Sequence, residues 1–439
     1  MPPSNTLELR IGPIAHGGHC VARHEGRVIF VRHAIPGELV KARLTEDDPQ
    51  AAFWRADVTE VIEPSDHRVA HFWEPANALA GADPVGGAEF GHITLAHQRE
   101  LKSAIVIEQL RRLGSLDAAD AGFTGVQPAP GETDGLHWRT RMAYTVNAAG
   151  RLAMSAHRSH RLTTLDAMPL AHRGIEASGI YAASYHGIDR VEVAVSGDGR
   201  QDVLVLLAER EPGAAARVAA QLPATVSIAA FSQGVGAAAD GQGELRRERG
   251  RTWLGERVLG HDYRITGEGF WQIHRQAATL LSERVLALCE PTDGERIADL
   301  YAGAGLFSAH LAQAVGDRGM VFSIEGAPGT HRDAKKNLRQ FQQARVIRGR
   351  VERVLRSVAR ERLDAVVLDP PRAGIDKSVA AELAASAVPR ICYVSCDPAS
   401  FARDAARLTS RGYELRHIEV HDLYPHTHHM ESIGVFVRR

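Results

Sequence analysis

The sequence predicts an α/β protein in which a carboxyl-terminal, Rossmann-like doubly wound sheet follows a small amino-terminal β-barrel and a central α+β domain. Three observations predict it. From about residue 275 onward, short apolar runs alternate with helical stretches, the signature of a parallel sheet with crossover helices. One such unit, "RIADLYAGAGLFSAHLAQAV", reads as strand, glycine turn and helix. The first 62 residues read instead as short strands joined by turns.

A chain of 439 residues is too long for one ordinary domain, and we place boundaries at 1–62, 63–260 and 261–439. In the barrel, "RVIFVRHAIPGELVKARLTEDD" alternates apolar and polar residues around a Pro36–Gly37 turn, and "FWRADVTEVIEPS" is the closing strand, ending at Pro64. Residues 65–92 are rich in Gly, Ala and Pro and read as irregular. Ala96 to Leu113 is an amphipathic helix. Residues 135 to about 260 mix strands ("RMAYTVNAAGRLAMSAH", "VEVAVSG", "DVLVLLAE") with the helix "AAARVAAQL", and "AAADGQGELRRERGRTW" contains a turn. No internal repeat is visible.

Composition narrows the class. The chain is 44% hydrophobic and 24% charged, as a soluble globular protein is. Its four cysteines, Cys20, Cys289, Cys392 and Cys396, form no C-x-x-C, which argues against a disulfide framework or structural zinc. "MPPSNTLELRIG" lacks the apolar core of a signal peptide, and no run approaches the roughly 18 apolar residues of a membrane helix. A cytoplasmic protein with no membrane partner is expected, and no obligate protein partner is inferred. A net charge of −1 says nothing about nucleic acid, but local patches do. Gly135 to Leu165 holds five arginines, three histidines, Trp138 and Tyr144, with no Asp or Glu. Basic residues interleaved with aromatics suit a phosphate backbone with stackable bases; the same pattern also suits a solvated arginine-rich face. The run from Arg345 to Arg362 is periodic and reads as a helix surface.

Candidate chemistry lies in the carboxyl-terminal half. Asp299 closes a strand, Gly303 and Gly305 permit a tight turn, and a helix follows. The next strand ends in Glu325, where a ribose hydroxyl pair would be held. A full dinucleotide fingerprint wants a third glycine, and Ser308 holds that place. A shortened loop with an acid at its start suits S-adenosylmethionine better than a dinucleotide. In "LDAVVLDPPRAG", Asp369 is followed by two prolines that stiffen the strand exit and by Arg372. That rigid corner can hold a flat base; an ordinary strand-to-loop turn is the plainer reading. An arginine after D-P-P argues against methylation of an exocyclic nitrogen.

Cys396, in "YVSCDPASFARD", lies just past a strand and before a helix with Pro398 in its first turn. Such a helix terminus is expected to lower a thiol from about 8.5 towards neutrality. Cys392 lacks that setting and reads as core. A nucleophilic cysteine beside a methyl donor suggests addition to carbon 6 of a pyrimidine, which makes carbon 5 able to take a methyl group. The carbon 5 proton must then leave to a general base. Glu431, in "DLYPHTHHMESIGVF", is the candidate, although alone it reads as an ordinary carboxylate. His426, His428 and His429 could suggest metal, but they lack the helical i, i+4 ligand pair, and we expect none.

"GFWQIHRQ", "DLYAGAGLFS", "SIE", "VVLDPPRAG", "VSCDPASFARD" and "YPHTHHMES" occur in an order that resembles the S-adenosylmethionine-dependent RNA (uracil-5-)-methyltransferases, over residues 268–439. More loosely, the first 62 residues resemble a TRAM domain, an RNA-binding barrel. The resemblance implies S-adenosylmethionine as cofactor, Cys396 as nucleophile and Glu431 as base. It places Gln272, Tyr301, Glu325 and Asp369 at the cofactor, with Asp369 also orienting the uracil edge. Arg139 and Arg141, in "WRTRMAYTV", are carried over as RNA contacts together with Arg372. The helix from Ala96 is expected to dock on the catalytic sheet. Two departures stand out. Where several members carry cluster-binding cysteines, "DPVGGAEFGHI" has Val85 and Ala88, so no iron–sulfur cluster is expected and packing must hold the loop. His274 replaces the asparagine that usually follows the glutamine motif.

The alternatives are an RNA cytosine-5 methyltransferase, which would usually add a cysteine on the Asp-Pro strand, a non-catalytic RNA-binding protein, and a dehydrogenase. Ribosomal RNA is the expected substrate rather than transfer RNA, because the barrel resembles that of the ribosomal enzymes.

Overall fold

The computed structural model describes residues 5–81, 84–156, 161–200, 202–232 and 245–439. The turn expected within 237–253 falls largely on residues 233–244, outside the described residues, as do His157, Arg158 and His160 of the arginine-rich stretch.

Five strands, β1 (Thr6–Arg10), β2 (Cys20–His24), β3 (Arg27–Arg32), β4 (Leu39–Glu46) and β5 (Phe53–Glu63), form a sheet in the order β1-β4-β5-β3-β2. Its edges β1 and β2 also touch. The alternation legible in the sequence places Ile29, Val31, Val40 and Ala42 inside, fully buried. After an irregular stretch, α1 (Leu95–Gln109) continues as one π-helical turn, Leu110–Gly114. Within the irregular stretch, Val85 and Ala88 are buried beside Trp73 and Met168, and Glu89 accepts a bond from the Gly87 amide at 2.8 Å. Packing thus holds that loop. Then comes β6 (Val126–Pro128).

The central sheet consists of β7 (Arg141–Val146), β8 (Leu152–Ser155), β9 (Leu162–Thr164), β10 (Ile188–Val195), β11 (Val203–Glu209), β12 (Ser227–Ser232) and β13 (Arg246–Arg249). Its order is β13-β12-β11-β10-β7-β8-β9, with α2 (Arg173–Ala177) and α3 (Ala214–Ala219) between its strands in sequence. A hairpin of β14 (Trp253–Val258) and β15 (His261–Thr266) spans residue 260, so the chain leaves the central sheet through paired strands.

The remaining elements alternate: α4 (Ala277–Cys289), β16 (Arg296–Leu300), α5 (Leu306–Val315), β17 (Met320–Glu325), α6 (Pro328–Asn337), β18 (Ala344–Arg348), α7 (Val351–Ala359), β19 (Ala365–Leu368), α8 (Lys377–Ala385), β20 (Arg390–Ser395), α9 (Pro398–Thr409), β21 (Tyr413–Asp422) and β22 (Glu431–Arg438). Their seven strands and β6 form an eight-stranded sheet in the order β18-β17-β16-β19-β20-β22-β21-β6. Every residue of β19, "AVVL", is buried, as expected where helices cover both faces. Chain order reverses between β16 and β19, the switch point at which such sheets bind ligands. The arginine-rich run at 345–362 is only partly helical: it supplies most of β18 before α7, whose Val351, Leu355 and Val358 face inward.

The sheet is not wholly parallel, as the sequence led us to expect. β22 runs antiparallel to both neighbours, β20 and β21. The reason is the length of the 423–430 connection, which is shorter than the dozen or so residues a parallel crossover needs. α1 packs on α9, and the buried Leu101, Ile105 and Val106 share a core with Phe401 and Ala402. From the same helix, the fully buried Lys102 donates to Asp422 Oδ1 at 2.5 Å and to the Tyr424 carbonyl at 3.1 Å. Removing either charge would strand the other without water, so this pair fixes α1 against the end of β21.

Candidate active site

The turn after β16 passes through three left-handed residues, Tyr301 (φ 62°), Gly303 (φ 56°) and Gly305 (φ 86°). Two are glycines, for which this conformation is inexpensive; Tyr301 is held in it against its preference. The Gly303 amide donates to Glu325 Oε2 at 2.8 Å, and the Ala327 amide donates to Oε1 at 2.6 Å. The end of β17 is thereby tied to the turn, and the half-buried Glu325 keeps acceptor capacity for a ligand. Asp299 differs from expectation. It is completely buried beneath the turn, with Oδ2 2.5 Å from Ser308 Oγ, and Oδ1 has no protein partner. Burial pushes its carboxyl up to about 7.

Asp369 sits at the exit of β19, next to β16 across the switch point. Gln272 Nε2 donates to its Oδ2 at 3.4 Å. Burial, and then the nearby Asp299, push Asp369 up to about 7. Arg141, expected to contact RNA, is engaged elsewhere. Its guanidinium donates to the carbonyls of Gly267 and Gly269 and lies 3.3 Å from Glu192. It braces the loop that carries Gln272, because a planar fork of donors matches two closely spaced carbonyls. Arg141→Ala is therefore expected to weaken cofactor binding several-fold while leaving RNA affinity unchanged, as calorimetry and filter binding would show. A loss of RNA affinity alone would restore the contact role. Arg139 Nε is bonded to the Arg141 carbonyl at 3.1 Å, and its charge is felt at Tyr424 and Arg372. His274 is buried, stacked on Trp138 at 5.7 Å, and accepts the Gln276 amide at 3.1 Å.

Cys396 and Glu431 are brought together by strand register. In the β20–β22 ladder Ser395 pairs with Ser432, so the residue just past one strand and the first residue of the other are lateral neighbours. Cys396 is half-buried, whereas Cys20, Cys289 and Cys392 are buried. The thiol is not activated by the helix, contrary to expectation. Burial, and then the charges of Glu431 and Asp369, push it up to about 12, with Arg372 the one opposing influence among the principal neighbours. The amino terminus of α9 is already occupied: Asp397 caps it by accepting the Ser400 amide at 2.7 Å. Iodoacetamide labelling of Cys396 in the free protein should accordingly be slow at pH 7 and rise about tenfold per pH unit to at least pH 9.5. A plateau near pH 8, read by peptide mass spectrometry, would contradict this.

Glu431 is buried, and Tyr424 Oη donates to its Oε2 at 3.1 Å. Burial, reinforced by Asp369, holds this carboxyl well above its usual range, while the Tyr424 bond and Arg372 pull the other way. Arg372 is exposed, with Nη2 3.5 Å from His429 Nε2. It also lines the cavity of about 200 Å³ that opens on Cys396. His426, His428 and His429 do not gather as ligands: His426 bonds Gln98 and the Asp134 carbonyl, and the other two rings lie 4.0 Å apart.

Three residues escaped the sequence reading. His16 of the barrel lines the Cys396 cavity with Gly17, and its Nε2 lies 2.8 Å from Asp397 Oδ2. Burial opposes ionisation of Asp397, but the His16 and Ser400 bonds bring it down to about 2. Tyr424 was legible only as part of a motif. Phe270, two residues from Gln272, is 63% exposed, a placement that no apolar pattern predicts.

Residues 255–439 match the family model described as tRNA (Uracil-5-)-methyltransferase, and residues 4–56 match the TRAM domain. An uncharacterized RNA methyltransferase of Streptomyces avermitilis is 38% identical, over 98% of this chain and 97% of its own. A second, from Bifidobacterium longum, is 37% identical, over 99% of this chain and 98% of its own. Among solved structures, a Pyrococcus abyssi tRNA (uracil-54, C5)-methyltransferase in complex with S-adenosyl-L-homocysteine superposes with a TM-score of 0.71 at 20% identity, covering 98% of this chain and 99% of its own. With the Rossmann-like sheet, the TRAM barrel and full-length relatives at this identity, the chain belongs to the RNA methyltransferases of the (uracil-5-)-methyltransferase family.

Proposed function

We propose that this RNA methyltransferase transfers a methyl group to carbon 5 of a uridine through a transient bond between Cys396 and carbon 6. The observation that carries the reading is the Ser395–Ser432 register, which sets a thiol beside a buried carboxyl at the edge of the cofactor-binding sheet. The enzyme is S-adenosylmethionine-dependent, and its residues fit that cofactor. A Cβ at Gly303 would meet nothing within 4 Å, so the turn leaves room for a ligand, and Glu325 retains acceptor capacity for a ribose. Asp369, held near neutrality by burial, is stabilised as an anion by a cation. When bound, S-adenosylmethionine supplies the methyl group. The Cys396 thiol loses its proton to solvent, its sulfur bonds to carbon 6, and the electron pair of the carbon 5–carbon 6 double bond makes carbon 5 nucleophilic. After methylation the Glu431 carboxylate accepts the carbon 5 proton, the carbon 5–carbon 6 double bond re-forms as the carbon 6–sulfur bond breaks, and the released thiolate takes a proton back from solvent. Tyr424 orients Glu431, and the Arg372 cation favours ionisation of both reacting groups.

Ribosomal RNA remains our proposed substrate. Its support is the resemblance of the barrel to that of the ribosomal enzymes; the Pyrococcus transfer-RNA enzyme, which superposes along 99% of its own chain, favours transfer RNA as the second reading. We keep the division at 62 and 260 as a proposal; 62 falls within β5 and 260 within the β14–β15 turn, while β6 joins the catalytic sheet beside β21 and α1 packs on α9. The test is mass spectrometry of nucleosides from ribosomal and transfer RNA with and without the gene. Loss of 5-methyluridine from ribosomal RNA is expected; loss from transfer RNA would reassign the substrate, and no loss from either would overturn the reading.

A further inference from the structure

Lys102 of α1 is a fully buried ammonium that takes no part in the reaction as written, and its charge is matched by Asp422, the last residue of β21. Replacing such a pair with well-packed apolar residues is often neutral or stabilising, so stability alone does not account for it. A second bond points towards the reacting groups. Lys102 Nζ also donates to the carbonyl of Tyr424, two residues past the end of the strand, at 3.1 Å. The same carbonyl accepts the Thr427 amide at 3.1 Å and the Thr427 hydroxyl at 2.8 Å. Three donors converge on one main-chain oxygen, and the ammonium, being charged, is the strongest of them.

Tyr424 runs from that oxygen to the reacting pair. Its ring meets Trp138 at 5.8 Å and His429 at 5.9 Å, both edge to face, and its hydroxyl donates to Glu431 Oε2 at 3.1 Å. A tyrosine side chain has only two rotatable bonds, so holding its main chain and its ring also holds its hydroxyl. Lys102 is therefore linked to Glu431 through a single residue. The ammonium is felt at His428 and His429 as well, where it adds to burial in disfavouring the charged ring, and both line the cavity that opens on Cys396.

We propose that Lys102 is a positioning residue for the elimination step: acting through the main chain of Tyr424, it sets where the Tyr424 hydroxyl meets Glu431, and thereby how fast the carbon 5 proton leaves. The proposal rests on the reading of Glu431 as the base. In that step the Glu431 carboxylate takes the proton, the freed electron pair re-forms the carbon 5–carbon 6 double bond, and the carbon 6–sulfur pair departs on Cys396. Lys102 touches none of these atoms. A carboxyl misplaced by about 1 Å can cost on the order of a hundredfold in rate. Addition of the thiol and methyl transfer do not need the base and are spared.

The test uses the full chain and total RNA labelled with 5-tritiated uridine in cells lacking the gene. Tritium released to water reads loss of the carbon 5 proton, and protein joined to RNA on a denaturing gel reads the adduct. Lys102→Met together with Asp422→Leu removes both charges and strands neither. This pair variant is expected to slow tritium release between about tenfold and a hundredfold at saturating RNA, while adduct accumulates. KM for RNA and the affinity for S-adenosylhomocysteine should not change. Tyr424→Phe should also accumulate adduct, and adding it to the pair variant should cost nothing further, because both act on one bond. Thr427→Val weakens the hold on the same carbonyl without touching a charge. It should shift release in the same direction, which keeps the test decisive should the pair variant not fold. Slower turnover with no adduct in these variants, or losses that multiply when Tyr424→Phe is added, overturns the proposal. Glu431→Gln separates the two readings. Adduct there but not in the pair variant removes the positioning role alone, whereas normal turnover by Glu431→Gln removes the base and this proposal with it.

Discussion

Replacing Cys396 with alanine is expected to lower methyl transfer roughly 10,000-fold or more, as the loss of a covalent nucleophile does elsewhere. Cofactor binding should survive, because the turn through Tyr301, Gly303 and Gly305 is built by β16, β17 and Glu325 and not by the thiol. Calorimetry with S-adenosylhomocysteine would measure the second quantity, and tritium transfer to RNA the first. The substitution also removes a half-buried group whose ionisation is opposed by Glu431 and Asp369, so no structural collapse is expected. A Cys396→Ala protein that methylates within tenfold of the unaltered rate would eliminate the covalent route.

Glu431→Gln should give the opposite failure, in which the first half of the reaction proceeds and the second stops. A glutamine cannot accept the carbon 5 proton, so methylated RNA stays joined to Cys396 and the complex survives a denaturing gel. The change is isosteric, and burial already opposes charge on this carboxyl, so the ladder through Ser432 should be undisturbed. The adduct should be absent from the Cys396→Ala, Glu431→Gln double variant. Normal turnover by the single variant would remove Glu431 from the base role.

How far the sequence foretold this site depended on the range of the contact involved. Asp299, Gly303, Gly305 and Glu325 lie within one strand–turn–helix–strand unit, and local pattern placed them at the correct turn. It did not reveal that Asp299 would be completely buried and bonded to Ser308, whose hydroxyl is in turn tied to Ser323 of the next strand. Helix polarity suggested an acidic thiol at Cys396. The structure reverses this because Asp397 caps the helix and two distant carboxyls converge on the sulfur. The brace role of Arg141 requires the carbonyls of Gly267 and Gly269, far along the chain. His16 reaches Asp397 across most of the sequence, from a domain read separately. Interactions of that kind leave no local periodicity to detect.

The antiparallel placement of β22 also sets the tolerance of the enzyme to change. Thiol and carboxyl are held side by side by main-chain bonds, so substitutions nearby can alter reactivity without moving either group. An inserted residue is another matter. Adding one position to β22 would carry Glu431 about 3.3 Å along the strand and turn it to the opposite face of the sheet. The length of the 423–430 connection, by contrast, does not enter that register. Lineages of this enzyme are thus free to drift in composition around the reacting pair, while small insertions and deletions within its two strands are closed to them.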